Sequence, residues 1–166
     1  MNLEMQVTNF SISKRLKELN LKQESYFYWC INENANNGGL PNFYSLIDSK
    51  RLQNSFYYPT DKISAFTASE LADMLPHIVD TKINEPFNNF RLWISKSFII
   101  EGMLEPKKFI YIINYKCDST ECAGENAWLS RQLTGNIHAF NLADAMALML
   151  IYLIENKFVE IKNDLV

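Results

Sequence analysis

Apolar positions fall at helical spacing in two parts of the chain and alternate in several others. Between Ser11 and Asn20, Ile12, Leu16 and Leu19 sit at i, i+4 and i+7, with Lys14, Arg15, Lys17 and Glu18 on the other sides. This spacing predicts a short amphipathic helix that ends where Asn20 can take a left-handed conformation. Ser25 to Ile31 is aromatic on both alternating faces and reads as a buried strand. Phe43–Ile47 and Ser55–Tyr58 are further strand candidates, and the Asn-rich stretch Asn32–Asn42, with Asn37-Gly38-Gly39, reads as a turn or long loop.

Thr67-Ala68-Ser69-Glu70 has the spacing of a capping box, in which a hydroxyl and a carboxylate satisfy two orphan amides of a first helical turn. The helix it opens must be short, because Pro76 disfavours helical geometry at Leu75. Phe90–Ile94, Ser97–Ile100 and Phe109–Tyr115 are strand-like. In the last, Phe109, Tyr111, Ile113 and Tyr115 share one face, and Ile110 and Ile112 the other. Gly102 and Pro106 punctuate a hairpin, and a weaker strand is expected near Ala127–Gln132. Asn141 then caps a final helix reaching about Asn156.

That final helix is apolar nearly all round. At ~100° per residue, Leu142, Met146, Met149, Leu150 and Leu153 gather opposite Asp144 as a core stripe. The side bearing Asp144 and Glu155 nevertheless carries Leu148, Ile151 and Tyr152. These three are the candidate partner-binding residues, since a large apolar face must be covered by the chain's own fold, by a second copy or by another protein.

At 166 residues with 48% hydrophobic side chains, the chain can build one packed domain over residues 1–166 without disulfides or metal. The expected class is α+β: an antiparallel sheet of about five or six strands with two or three helices packed on it. A net charge of −3 argues against a dominant nucleic-acid footprint. Three cysteines, an odd count, point to a reducing cytoplasmic compartment. The Leu142–Ile154 stretch would span ~20 Å, short of the ~30 Å hydrocarbon layer, so no membrane partner is expected.

Candidate chemistry is sparse. Cys117 and Cys122 with His138 lack the second ligand pair of a structural zinc site. The same Cys117–His138 region is the place to look for a small enzyme, with Asp118 as orienting group, but no surrounding motif supports it. Cys30, between Trp29 and Ile31, reads as a small buried hydrophobe. Asp118, Glu121 and Glu125 lack the ordered spacing of a hard-cation loop. No phosphate-binding glycine motif occurs, and no cofactor is expected. For nucleic acid, the candidates are Phe109–Tyr115 beside Lys107-Lys108, and the basic face of Lys14, Arg15, Lys17 and Lys22. The alternative is a strand whose aromatics face a helix, with solvated lysines at its end.

Three stretches carry a resemblance. They are Leu16-Lys17-Glu18-Leu19-Asn20-Leu21-Lys22-Gln23-Glu24-Ser25-Tyr26-Phe27-Tyr28-Trp29, Ser64 through Pro76 (SAFTASELADMLP), and Ala143-Asp144-Ala145-Met146-Ala147 running on through Leu150 to Asn156. In this order they resemble a group of small uncharacterised proteins of phages, prophages and other mobile elements, notably those of Bacteroides-type gut bacteria. The stretches span most of the chain, while Asp80 to Asn141 matches only in general character. The resemblance implies a genomic setting and supplies no catalytic residues. The expected function is a non-enzymatic accessory protein that acts through protein contacts, including self-association.

Overall fold

The computed structural model describes residues 3–31, 44–54, 61–80, 89–99, 108–116 and 137–160. Within them the fold is α+β, with two antiparallel sheets and four α-helices. Helix α1 (Phe10–Glu18) leads into β1 (Phe27–Ile31) and β2 (Tyr44–Asp48). A short α2 (Ser49–Asn54), β3 (Lys62–Ser64) and α3 (Ala68–Met74) follow. Strands β4 (Ile78–Asp80), β5 (Asn89–Ile99), β6 (Lys108–Lys116) and β7 (Ile137–Ala139) then precede α4 (Leu142–Glu155). The first sheet has the order β2-β1-β3, and the second is a meander, β4-β5-β6-β7. The expected strands thus divide between two sheets. Phe90–Ile94 and Ser97–Ile100 merge into the single strand β5, because Ser95 and Lys96 keep the alternation running across their polar interruption. The expected strands at Ser55–Tyr58 and Ala127–Gln132, and the loop Asn32–Asn42, lie outside the described residues.

The helix boundaries follow from capping. Asn9 accepts from the Ile12 N–H at 3.0 Å to start α1, and Asn20 has φ 62° just past its end. Thr67 and Glu70 form the expected capping box, and Leu75, ahead of Pro76, is extended. Asn141 accepts from the Asp144 N–H at 3.2 Å to start α4.

The main core lies between the second sheet and α1, α3 and α4. The sheet supplies residues of one parity only: Val79, Phe90, Ile113 and Tyr115, fully buried, with Leu92 and Tyr111 half-buried beside them. Helix α4 is the centre of the packing, touching β6, β7, α1 and α3, and this is why its sequence is apolar on nearly every side. A smaller cluster of Val7, Trp29, Ile63 and Ala65 fills the space against the first sheet.

An extended strap, Val7-Thr8-Asn9, ties the parts together. Val7 bridges Thr67, and its carbonyl accepts from Asn141 Nδ2 at 2.8 Å. Thr8 exchanges bonds with Phe66: its N–H donates to the Phe66 carbonyl (2.8 Å) and its hydroxyl accepts from the Phe66 N–H (3.0 Å). The Trp29 indole N–H donates to the Thr8 carbonyl at 2.8 Å. Thr8 and Ser13 are fully buried polar residues, and the 2.7 Å contact between their hydroxyls satisfies both.

Candidate interaction surface

Of the face that sequence reasoning singled out on the last helix, Ile151 and Tyr152 belong to the core cluster that Ile12 and Leu16 of α1 and Leu19 at its C-terminal end also join. Ile151 is buried, and Leu148 and Tyr152 are half-buried. Helix α1 runs parallel to α4, fixed at both ends. Asn9 donates its N–H and its side-chain amide to the Asp144 carboxylate at the start of α4, and Arg15 donates to Glu155 at its end at 2.6 Å. Leu16 of α1 joins the core beneath, and Tyr152 stacks on Phe158 with 6.3 Å between ring centroids. The polar edge formed by Asp144 and Glu155 therefore recruits the chain's own first helix.

The other candidates separate. On β6, Ile113 and Tyr115 are buried against α4, and Tyr111 is half-buried with them. Phe109, further along, lies partly open beneath the Lys96 ammonium, 4.1 Å from its ring. Of the basic face, Arg15 pairs with Glu155 and Glu18, Lys17 with Asp61, and Lys22 with Glu24. His138 is exposed on β7, while Cys117 and Cys122 lie outside the described residues. Cys30 is buried, and burial pushes its thiol up, partly offset by nearby Lys62. Among the described residues no group of three or more His, Cys, Asp or Glu side chains could hold a metal ion. No helix is long and apolar enough to cross a membrane, a statement again limited to the described residues.

What the sequence did not disclose is an open cavity of about 570 Å³ at the edge of the second sheet. It forms beside the start of β4, because β4 begins only at Ile78, opposite Arg91, while β5 continues for eight more residues past their shared register. Leu92 and Ile94 of β5 make one wall, Ala72 of α3 and Met146 of α4 the other, and His77, Ile78 and Arg91 stand at its end. Ile78 and Trp93 are each 50% exposed and Ile94 is 43% exposed, although all three lie in strands. The only sequence signal for this site is the length mismatch between a long strand and a three-residue neighbour, and IVD is too short to read as a strand. A second groove, of about 470 Å³, lies between the starts of α3 and α4 and is flanked by exposed Met5 and Phe140.

Two ionisable groups, buried Tyr115 and half-buried Asp144, have structural assignments. The Tyr115 hydroxyl donates to the Pro76 carbonyl at 2.6 Å, and burial pushes its phenol well above the ordinary range. Burial also pushes the Asp144 carboxyl up, against the pull of the bonds from Asn9. Searches of protein-family models, of curated proteins and of solved structures find no match to this chain.

Proposed function

We propose that the protein is a non-enzymatic accessory protein of a phage or other mobile element, and that it works by docking another protein at the edge of its second sheet. The observation that carries this reading is the apolar opening between β5, α3 and α4, lined by Leu92 and Met146 and rimmed by half-exposed Ile78 and Ile94. Single exposed apolar side chains are ordinary, but two large ones at the mouth of an aliphatic cavity form a patch that is covered when a partner binds. The lining is mostly aliphatic, with a guanidinium and an imidazole at one end, a mixture suited to the centre and rim of a protein interface. The phage or mobile-element setting rests on the resemblance described above.

A photoreactive residue placed at Ala72, on the cavity wall, tests the reading in cells that carry the element. One protein encoded by the same element should cross-link from position 72, and none from Lys14 on the exposed side of α1. Ile94→Asp should abolish the cross-link. The same products from both positions would defeat the proposal.

A further inference from the structure

The partner's contact can be specified from the backbone of β5. Strand β4 pairs with β5 only opposite Asn89, Phe90 and Arg91. The next residue, Leu92, donates its N–H to the His77 carbonyl at 3.1 Å, so its main-chain groups point toward the β4 side. Hydrogen-bonding direction alternates along a strand. Ile94 and Lys96 therefore aim their N–H and C=O groups toward the same side, beyond the start of β4 at Ile78, while Trp93 and Ser95 turn theirs toward β6. Among the described residues no strand pairs with that stretch of edge. An open row of main-chain donors and acceptors is a template for another strand, and here it runs along the cavity that Leu92, Ile94 and Met146 line.

We infer that this edge of β5 binds an extended segment of a partner protein as an added strand, with alternate side chains entering the cavity. The inference rests on the docking function proposed above and gives its mode. Main-chain bonds supply the common part of such recognition, and pockets for alternate side chains supply the selectivity. The register defines those side chains. Ile94 pairs with Ile113 and Lys96 with Tyr111, on the helix-facing side of the sheet. A partner residue beside Ile94 meets the apolar cavity. The partner residue two positions away, on the same side, meets the Lys96 ammonium, which lies over the Phe109 and Tyr111 rings at 4.1 and 5.4 Å. The matching segment is extended, with an apolar and an acidic residue two positions apart.

A second copy of this chain is a poor occupant. Twofold pairing of β5 edges about Ser95 sets each Ile94 against the other copy's Lys96 and brings two lysines into one patch. An inward-facing lysine on an edge strand is a device that discourages such pairing.

Selection of random displayed peptides against the whole protein, followed by amide hydrogen exchange with a selected peptide, tests the inference. The expected result is enrichment of the apolar–x–acidic pattern, with slowed exchange at the Ile94 and Lys96 amides. Ile94→Pro, which removes an edge donor, should lose the enrichment. Lys96→Glu should turn the selected acidic residue into a basic one while leaving the fold intact. Selected peptides that leave both amides unprotected would overturn strand addition, yet the Ala72 cross-link could still stand. No enrichment over Ile94→Pro would also overturn it. So would protection of both amides in the protein alone with a mass that rises with concentration, because that would make the occupant a second copy.

Discussion

The carboxylate of Asp144 receives both the backbone N–H of Asn9, at 2.7 Å, and its side-chain amide, at 3.0 Å, from 135 positions away in the chain. In a capping box the third helical residue returns a carboxylate to the N–H of the cap. The third residue of α1 is Ile12, which cannot do so. Asp144, itself the third residue of α4, supplies the missing group, and one side chain thereby fixes where two helices start relative to each other.

Asp144→Ala removes both acceptors and leaves the Asn9 N–H to find water. Stability should fall by about 1–3 kcal/mol. Asp144→Asn keeps one acceptor oxygen and should cost less. Denaturant titration of the two variants checks the order, and equal losses would mean that packing rather than acceptance dominates.

The same group gives a pH dependence of unusual sign. Burial raises the Asp144 carboxyl in the folded chain above its ordinary value, while the bonds from Asn9 only partly oppose it. With the folded value above the unfolded one, the folded state takes up the proton first as pH falls. The contribution of Asp144 to stability should therefore rise on acidification through that window, and its desolvation cost should be complete above it. Wild-type stability minus that of Asp144→Asn, followed through the acid range, should increase as pH drops. A decrease would show that the bonds from Asn9 outweigh burial.

Glu70 does more than close the capping box that Thr67 announces. Its Oε2 accepts from the Thr67 N–H and hydroxyl, each at 2.7 Å, and from the Ser25 hydroxyl at 3.2 Å, while Oε1 accepts from the Tyr26 N–H at 3.0 Å. It thus joins α3 to the entrance of β1. Thr67→Ala should cost ~1 kcal/mol and exposed Ser69→Ala much less. Glu70→Ala should exceed both, because it strands donors on two elements. Thermal unfolding of the three variants checks the ranking.

The elements written in local sequence were legible, and those that depend on distant partners were not. The caps at Thr67 and Asn141, the stop before Pro76 and the alternation of β6 each need only neighbouring residues, and each is present where the pattern puts it. Helix α2 (SKRLQN) has one buried apolar side chain, Leu52, and so no periodicity to read. The way the parts are tied together depends on the Val7-Thr8-Asn9 strap, whose partners Trp29, Phe66, Asn141 and Asp144 are scattered along the chain. The cavity escaped for the same reason, since it arises from where β4 starts beside β5. The apolar surplus of α4 was plain in the sequence, but the identity of its cover was not.

Tyr115→Phe offers a narrower test. The ring is fully buried, and only the bond from its hydroxyl to the Pro76 carbonyl is lost. A loss of about 1 kcal/mol is expected, with the denaturant slope unchanged. A neutral substitution would mean that the Pro76 carbonyl finds another donor once the hydroxyl is gone.

Because Leu16 of α1 and Ile151 of α4 share one core cluster and the two helices touch, truncations on either side of that contact should damage one and the same interface. Leu16→Ala and Ile151→Ala should each cost about 2–5 kcal/mol, since both side chains belong to the buried core. The double variant should lose less than the sum, because the second truncation removes packing that the first has already loosened. Ile151→Lys would place an unpaired charge beneath α1 and should unfold the chain rather than release a folded subunit. Light scattering distinguishes the two outcomes. If α1 covers this face of α4, wild type and both alanine variants keep one mass at every concentration while the variants' denaturation midpoints fall. A wild-type dimer that Ile151→Lys converts into a folded monomer would instead mean that α1 leaves this face in solution and a second chain takes its place.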